Sequence, residues 1–355
     1  MTGTRSDLRY SSLKGFAMNL KELFAHFIPQ IEAEMRACLS SPDPALAAYY
    51  GMMRYHLGWT DEHFAPAQVN SGKRIRPMLC VLACASASAG GAQSGAQAIP
   101  AAAGIELLHN FSLIHDDVED NSPTRRGRPA LWTLWGVPQA INSGDGMLTI
   151  AHVAIDRLRL HGVPPERVLD VHGIFDGACL SLTHGQYLDI SFESRQHVSV
   201  DEYLHMIAGK TSALIGACTA IGATMAGSDA VTHYETFGRE LGLAFQIQDD
   251  ILGIWGDEAL TGKSAESDMA TRKKSLPAVY ALERSERLRA LYAAPEVDVP
   301  SAIAEMDAVG ARTFAEQAAR EHHERAMESL RASDASGDAG QALFELAESL
   351  LGRAA

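Results

Sequence analysis

The sequence predicts an all-α protein. Ala, Leu, Glu and Arg are abundant, apolar residues recur at steps of three and four, and alternating runs of β-branched residues are missing. Strong helix formers at that period build helices with one apolar face, whereas a strand needs a period of two. We expect one helical domain over residues 18–355 and a loose leader over residues 1–17, with Met18 as the candidate natural start.

Three segments rich in small residues or bounded by proline interrupt the helical pattern. Residues 87–100 (ASAGGAQSGAQAIP) predict a loop between two helices, and residues 295–300 (PEVDVP) predict a second break. Residues 332–340 (ASDASGDAG) predict a third break, before a short amphipathic C-terminal helix with the sequence ALFELAESLL. None of these segments is long enough to prove a domain boundary.

Composition limits the classes of partner and compartment. The chain has 355 residues, 46% hydrophobic and 21% charged, and can therefore bury a large core. A formal net charge of −14 argues against a nucleic-acid partner, because binding a phosphate backbone needs clustered Lys and Arg. Five cysteines without a CxxC pair fit a reducing cytoplasm. No apolar run reaches the ~18 residues of a spanning helix, so we expect no stable membrane insertion.

One helix leads into an unusual stretch, LIHDDVEDNSPTRRGRP, at residues 113–129. Opposite its apolar face runs a polar column at steps of three, four and four, formed by His109, Ser112, Asp116 and Asp120. Asp116 and Asp120 are one turn apart, about 6 Å, with Asp117 alongside. Carboxylates this close raise each other's pKa, so a cation between them best explains the arrangement. Mg²⁺ suits such a site, because it takes oxygen ligands from one or two carboxylates plus substrate phosphates.

A solvated acidic face is the alternative interpretation of this column. With 44 acids in 355 residues, three acids at the DDxxD spacing arise by chance about 0.7 times. A second acidic pair favours the metal site, because Asp249 and Asp250 lie within an apolar helix, FQIQDDILGIWGD, where unpartnered charge is costly to bury. Gln246 and Gly253 share the helical face of that pair.

Basic residues cluster in short segments that suit phosphate groups, since guanidinium forks bind phosphate oxygens in pairs. Two of these segments are GKRIRP at residues 72–77 and RRGRP at residues 125–129. Three more, AGKTS, TGKS and RKKSLP, contribute Lys210, Lys263, Lys273 and Lys274. A single lysine is more often a solvated surface residue, but together these residues predict two anion sites, one of them bridged to the aspartates by metal. TGKS lacks the upstream glycines of a P-loop, which disfavours a nucleotide-binding enzyme.

These motifs, in this order, resemble those of the trans-type isoprenyl diphosphate synthase (polyprenyl synthetase) family. They cover most of the chain: GKRIRP, ELLHNFSLIHDDVED, RRGRP, GQYLD, GKTS, FQIQDDILGIWGD, TGKS and KKSLP. The resemblance implies the all-α isoprenoid synthase fold, with about ten core helices around a deep central cavity, usually as a homodimer. It also implies head-to-tail condensation of isopentenyl diphosphate with allylic diphosphates to a linear prenyl diphosphate, with three Mg²⁺ ions in the substrate complex.

The resemblance gives each candidate residue a role. The metal ligands it implies are Asp116, Asp117, Asp120, Asp249 and Asp250. The catalytic residues it implies are Asp116, Asp120, Asp249 and Lys210. Positions that match the allylic diphosphate site are Arg125, Lys210, Thr211, Gln246, Lys263 and Lys273. Positions that match the isopentenyl diphosphate pocket are Lys73, Arg76, His109 and Arg126.

Departures and cavity-floor residues bear on catalysis and product length. Gly253 stands where the family's second motif usually has a third aspartate, which predicts weakened but working catalysis. The chain-length residues are Phe111, Ser112 and Leu108, below Asp116 on the same helix, although core packing is an equal explanation for Phe111 and Leu108. In similar enzymes a single aromatic at the position of Phe111 accompanies geranylgeranyl products. We therefore expect geranylgeranyl diphosphate, with farnesyl diphosphate as the alternative.

Two other functions share some of these features. A class I terpene cyclase uses the same metal chemistry, but it generally carries an Asn/Ser/Glu triad that FQIQDDILGIWGD lacks. A non-catalytic partner subunit is expected to lack the first aspartate motif, which this chain retains. Both alternatives are therefore weaker than a synthase.

Overall fold

A computed structural model of the chain describes residues 18–67, 69, 72–88, 91–256 and 272–351, and these are mainly helical. In chain order the α-helices are α1 (Leu20–Cys38), α2 (Ala47–His56), α3 (Ile75–Ala87), α4 (Ile99–Glu119), α5 (Leu131–Trp135), α6 (Val137–Asp156), α7 (Pro165–Glu193), α8 (Val200–Ile207), α9 (Ala213–Ala226), α10 (Val231–Trp255), α11 (Leu276–Arg284), α12 (Glu286–Ala293), α13 (Val299–Ala308), α14 (Ala311–Ala332) and α15 (Gly337–Leu351). Shorter helical segments are the 3-10 turns Pro44–Leu46, Gly91–Ala98 and Arg157–His161 and the π-helical turn Ala208–Ser212.

Helices α3, α4 and α9 form the centre of the largest hydrophobic cluster, because most of their side chains are buried. Glycines allow close helix contacts in this centre. A Cβ atom added at Gly222 of α9 would lie 2.2 Å from the carbonyl oxygen of Cys80 in α3. A Cβ atom added at Gly104 of α4 would lie 2.8 Å from the carbonyl oxygen of Ala151 in α6. The close packing fixes α4, and with it the carboxylates at its C-terminal end.

The predicted breaks at residues 295–300 and 332–340 are confirmed, and the predicted loop at residues 87–100 is partly wrong. Helix α12 ends at Ala293 before α13 begins at Val299, and α14 ends at Ala332 before α15 begins at Gly337. The predicted loop at residues 87–100 instead contains the 3-10 turn over residues 91–98, and α4 begins at Ile99. Pro100 fits there because the first turn of a helix needs no amide hydrogen at that position.

A two-stranded antiparallel hairpin follows α4, and the sequence pattern did not predict it. Strand β1 (Thr124–Arg125) pairs with β2 (Arg128–Pro129). The turn residues Arg126 and Gly127 have φ values of 54° and 76°, the left-handed conformation that two-residue hairpin turns require. The hairpin is too short to change the all-α class, and it carries the arginines of RRGRP.

One continuous helical stretch, Val200–Ala226, is long and apolar enough to cross a membrane by length and composition. Its most apolar window has a mean hydropathy of 1.3, and 83% of that window is buried inside the protein. The stretch comprises α8, the π-helical turn and α9, and α9 packs against α3, α7 and α10. This burial is that of a core helix.

Candidate active site

A cavity of about 410 Å³ lies between α3, α4, α7, the π-helical turn and α9. Apolar side chains such as Leu182 and Leu214 form part of its wall. The predicted site residues that line it are Arg76, His109, Phe111, Ser112, Asp116, Lys210 and Thr211. Three members of the polar column of α4, His109, Ser112 and Asp116, therefore face a cavity, whereas Asp120 is exposed and does not line it.

Asp116 brings the first acidic motif into this cavity, with its side chain 20% exposed. Arg125 donates from Nη2 to Oδ2 of Asp116 at 3.1 Å, and Nζ of Lys210 lies 3.4 Å from Oδ1. Both cations match positions for the allylic diphosphate. The carboxylate of Asp116 is therefore in direct contact with two residues that are predicted to bind the diphosphate.

Asp117 is placed differently from Asp116. It is 1% exposed and does not line the cavity. Nε of Arg125 donates to Oδ1 of Asp117 at 2.8 Å, and Nη2 lies 2.6 Å from the same oxygen. Burial raises the pKa of Asp117, and the hydrogen bond from Arg125 opposes that rise. This geometry fits a residue that fixes the Arg125 guanidinium, and it does not favour Asp117 as a direct metal ligand.

Asp120 caps the C-terminal end of α4, four residues after Asp116. Burial, followed by the charge of Asp116, raises the pKa of Asp120 to about 6, while Lys210 and Lys273 act in the opposite direction. A cation beside Asp120 would stabilise its ionised form, and the oxygen donors of Asp116 and Asp120 fit Mg²⁺. Within the described residues no three His, Cys, Asp or Glu side chains form a complete metal cluster. An ion held here would therefore take its remaining ligands from phosphate and water.

The second acidic pair divides between an exposed and a buried carboxyl group. Asp249 is exposed on α10, whereas Asp250 is 9% exposed. Asp250 accepts hydrogen bonds from Tyr203 Oη at 2.6 Å, the Leu276 amide at 2.9 Å and Gln246 Nε2 at 3.2 Å. Burial raises the pKa of Asp250 to about 6 despite these donors. Asp250 thus ties α8, α10 and the start of α11 together, which favours Asp249 as the metal ligand of the pair.

A chain of polar contacts joins the two acidic motifs. Lys210, which contacts Asp116, precedes Thr211 in the π-helical turn. Thr211 donates from Oγ1 to Oε1 of Gln246 at 2.8 Å, and Gln246 donates to Asp250. The two motifs are therefore connected through the π-helical turn, by Lys210 on one side and by Thr211 with Gln246 on the other.

Lys273 provides a second link between the motifs. Its positive charge lowers the pKa of both Asp120 and Asp250. Lys273 is therefore on the same side of the protein as both acidic motifs, and its match to the allylic diphosphate site stays a prediction.

The segment GQYLD supplies site residues to which the sequence assigned no role. A Cβ atom added at Gly185 would lie 2.1 Å from the backbone nitrogen of Lys210, so glycine permits α7 to meet the π-helical turn. Gln186 donates to Oδ1 of Asp116 at 3.4 Å, and Asp189 accepts from Nζ of Lys210 at 2.5 Å. The motif itself was the available signal for these residues.

The residues that match the isopentenyl diphosphate pocket lie at the N-terminal end of the polar column. Arg76 donates from Nη1 to Nε2 of His109 at 3.2 Å. Burial, followed by the charges of Arg76 and Arg126, holds the pKa of His109 well below its usual range, so its imidazole is neutral. A Cβ atom added at Gly72 would lie 3.3 Å from Nη2 of Arg126, and the exposed Lys73 follows this glycine. These basic groups therefore gather at one patch.

Arg74, from the same basic segment, is turned into the protein and does not join the patch. Its residue is 4% exposed, and its Nη1 lies 2.6 Å from Oε1 of Glu106 on α4. Nη2 lies 3.3 Å from Oε1 of Glu32 on α1. Arg74 therefore anchors the basic segment to α1 and α4.

The chain-length candidates separate into two groups. Phe111 and Ser112 line the cavity, whereas Leu108 is 0% exposed in the core and does not line it. Core packing therefore explains Leu108. Lys263 lies outside the described residues, so its match to the allylic diphosphate site has no structural counterpart here.

Known proteins resemble this chain over most of its length. A family model described as polyprenyl synthetase matches residues 59–307. The geranylgeranyl diphosphate synthase of Mycobacterium tuberculosis (strain ATCC 25618 / H37Rv) is 43% identical over 291 residues, which cover 79% of this chain and 80% of that protein. The short chain isoprenyl diphosphate synthase of Methanothermobacter thermautotrophicus is 40% identical over 300 residues, 82% of this chain and 89% of that protein.

Solved structures share the fold. The crystal structure of polyprenyl synthetase from Streptomyces coelicolor A3(2) matches with a TM-score of 0.84 and 34% identity, over 94% of this chain and 100% of that one. The polyprenyl synthase from Caulobacter crescentus CB15, complexed with calcium and isoprenyl diphosphate, matches with a TM-score of 0.77 and 25% identity, over 96% of this chain and 100% of that one. These likenesses confirm the predicted all-α fold class.

Proposed function

The chain belongs to the polyprenyl synthetase family, and from this premise we propose that it is a prenyltransferase that condenses isopentenyl diphosphate head-to-tail with allylic diphosphates. Its product is a linear prenyl diphosphate, to which we assign the geranylgeranyl length. The observation that carries the proposal is the position of Asp116 and Lys210 at a cavity with apolar walls, with Arg125 hydrogen-bonded to Asp116. Such a cavity suits a ligand with an anionic head and a hydrocarbon tail.

The first step of the proposed reaction breaks the allylic carbon–oxygen bond and leaves charge on the departing diphosphate. Arg125 and Lys210 are already fixed beside Asp116 and stabilise that charge where it forms. Mg²⁺ held by Asp116, Asp120 and Asp249 would supply further positive charge to the leaving group. The other residues that we assign to the allylic diphosphate are Thr211, Gln246, Lys263 and Lys273.

Gly253 modifies the second acidic motif of this site. It follows Asp249 by one helical turn and carries no carboxylate. Asp250 is engaged by Tyr203, Leu276 and Gln246. We therefore assign metal binding in this motif to Asp249. Because Gly253 supplies no third carboxylate, we expect catalysis to be weakened but still to work.

The second step joins the two substrates. Arg76, Arg126 and Lys73 hold the diphosphate of isopentenyl diphosphate, beside the neutral ring of His109. The double bond of this substrate attacks the allylic cation, a carbon–carbon bond forms, and the proton that is lost passes to the departing diphosphate. The apolar wall excludes water, and the ring of Phe111 offers a face that stabilises the cation.

A direct incubation tests this function against its alternatives. Purified protein is mixed with isopentenyl diphosphate, each allylic diphosphate in turn and Mg²⁺, and the products are separated by chain length. A linear prenyl diphosphate supports the synthase. Hydrocarbon products would indicate a terpene cyclase, and product that forms only with an added protein would indicate a partner subunit.

Replacing Ser112 with Phe is expected to shift the main product from geranylgeranyl to farnesyl diphosphate. Ser112 lines the cavity beside Phe111, so a second phenyl ring takes up volume needed by the longer tail. Chain-length analysis of the products measures the shift. Ser112→Ala, which keeps a small side chain, is the control and should retain the long product. An unchanged product profile in Ser112→Phe would rule out this part of the cavity as the length determinant.

A stripe of exposed apolar residues along α7 supports a homodimer. Leu169, Leu180, Tyr187 and Ile190 are 70%, 58%, 72% and 42% exposed, and their spacing puts them near one helical face. Exposed apolar stripes of this kind mark interaction surfaces, and two identical stripes can pack about a twofold axis. Tyr187 and Ile190 also line the cavity, so a second copy of the chain would border it.

Leu180→Glu is expected to convert the dimer to a monomer, because it introduces a charge into the apolar stripe of each subunit. The molar mass measured by light scattering after gel filtration should fall by about half. Leu46→Glu, at a 40% exposed position in the 3-10 turn before α2, should keep the dimer mass. Equal masses for the wild type and Leu180→Glu would exclude α7 as the interface.

We assign the protein to the cytoplasm, with residues 18–355 as one catalytic domain. All five cysteines lie within the described residues, and they are free thiols, which suits a reducing compartment. Residues 1–17, the expected leader, lie outside the described residues. We assign neither a nucleic-acid partner nor stable membrane insertion to the chain.

A further inference from the structure

A buried polar cluster lies between α2, α4 and the hairpin, behind the proposed isopentenyl diphosphate site. His56, the last residue of α2, is 9% exposed, and its Nε2 has no hydrogen-bond partner in the described part of the chain. Within the same residues, Nη1 of Arg126 also lacks a partner. Buried polar atoms are nearly always paired, so two such atoms, on His56 and Arg126, indicate a built site.

The His56 ring is a hydrogen-bond acceptor in this cluster. Burial, followed by the charges of Arg126 and Arg125, holds the pKa of His56 well below its usual range, while the Asn110 side chain acts in the opposite direction. The imidazole is therefore neutral, and one of its nitrogens accepts. The amide nitrogen of Asn110 donates to the carbonyl oxygen and Oε1 of Glu106, at 2.7 and 3.0 Å, which leaves its oxygen for His56.

Arg126 differs from its neighbours in the hairpin. Arg125 is held by Asp117, and Arg128 donates to the carbonyl oxygens of Tyr55 and Thr60 at 3.3 and 2.9 Å. Arg126 makes no such hydrogen bond or ion pair with another residue that the structure describes. Yet Arg126 is the member of the three that we assign to the second substrate, so its guanidinium needs another anchor.

A small cavity of about 20 Å³ lies against both His56 and Arg126. A volume of this size holds one water molecule when polar groups surround it. Such a water can donate to Nε2 of His56 and accept from Nη1 of Arg126, which satisfies both atoms.

We propose that His56 is a positioning residue for isopentenyl diphosphate: through one water in this cavity it holds the Arg126 guanidinium in the orientation that binds the diphosphate. Asn110 fixes the imidazole ring from the opposite side. The proposal rests on the proposed function, since it concerns the second substrate of that reaction. His56 does not touch substrate itself and acts through Arg126.

His56→Phe is the variant that tests this role, because it removes both ring nitrogens and keeps an aromatic ring. We expect the KM for isopentenyl diphosphate to rise about tenfold, and the KM for the allylic diphosphate to change less than twofold. His56→Asn, which retains an acceptor, should recover part of the difference. Initial rates with each diphosphate varied in turn measure both constants.

A double mutant shows whether His56 acts through Arg126. In an Arg126→Gln background, His56→Phe should cause no further rise in the KM for isopentenyl diphosphate. Met53→Ala is the structural control, because Met53 is fully buried on the same helix and lines neither cavity. It should lower the melting temperature without separating the two KM values.

Two results would overturn the role of His56. One is a parallel rise of both KM values in His56→Phe, as a destabilised fold would give. The other is an effect of His56→Phe that persists in full when Arg126 is replaced. Calorimetric titration with inorganic pyrophosphate repeats the comparison without turnover, and His56→Phe should weaken binding several-fold. A wild-type protein that binds pyrophosphate but forms no prenyl diphosphate would count against the proposed function, while the titration still decides the role of His56.

Discussion

Asp116→Asn is expected to lower kcat on the order of 10²- to 10³-fold while the protein stays folded. Asparagine keeps the shape of the side chain but removes the charge that holds Arg125 and Lys210, at 3.1 and 3.4 Å, and that would bind a cation. The measurement is the initial rate of prenyl diphosphate formation at saturating substrates and Mg²⁺, with circular dichroism to monitor the fold.

A matched variant separates this effect from a change in net charge. Asp307→Asn removes the same charge from an exposed position on α13 and should leave kcat as in the wild type. If Asp116→Asn retained more than about a tenth of the wild-type kcat, Asp116 would not hold the leaving group in the way that we propose.

Glu106→Leu is expected to lower the free energy of unfolding by about 3–5 kcal/mol. The side chains of Arg74 and Glu106 are 2% and 4% exposed and lie 2.6 Å apart. Without Glu106, the buried Arg74 guanidinium keeps Glu32 at 3.3 Å but loses its shorter contact. Denaturant unfolding of the ligand-free protein, followed by circular dichroism, measures the change.

The double variant Arg74→Met, Glu106→Leu provides the control for this prediction. Replacing both charges by apolar side chains leaves no uncompensated ion, so the double variant should be more stable than Glu106→Leu. An equal loss in the single and double variants would mean that packing, and not the buried charge, accounts for the effect.

Helical periodicity predicted which side of α4 faces the site, because spacing alone sets the direction of a side chain on a helix. His109, Ser112 and Asp116 therefore line the cavity as the sequence indicated. The same spacing cannot reveal burial against distant segments. Glu106 and Asn110 are buried on another side of α4, where Glu106 pairs with Arg74 from the segment before α3.

For two adjacent acids, the sequence likewise cannot show which carboxylate is buried against a distant segment. DD motifs present two carboxylates about 100° apart around a helix, and the sequence treated both as ligands. Tertiary contacts distinguish the two acids of each pair. Arg125 donates a hydrogen bond to Asp117, and Tyr203 and the Leu276 amide donate to Asp250. Leu108 was assigned to the cavity floor for a similar reason, since the depth of the cavity depends on how α7 and α9 pack.

The paired charges around Lys210 have a consequence for turnover. Lys210 contacts Asp189 and Asp116, and Arg125 contacts Asp117. An incoming diphosphate must therefore displace existing counter-ions, so its net gain is a difference between two similar attractions. Such a site binds pyrophosphate less tightly than the same cations would without carboxylate partners. The pyrophosphate can therefore dissociate before the next round of chain extension.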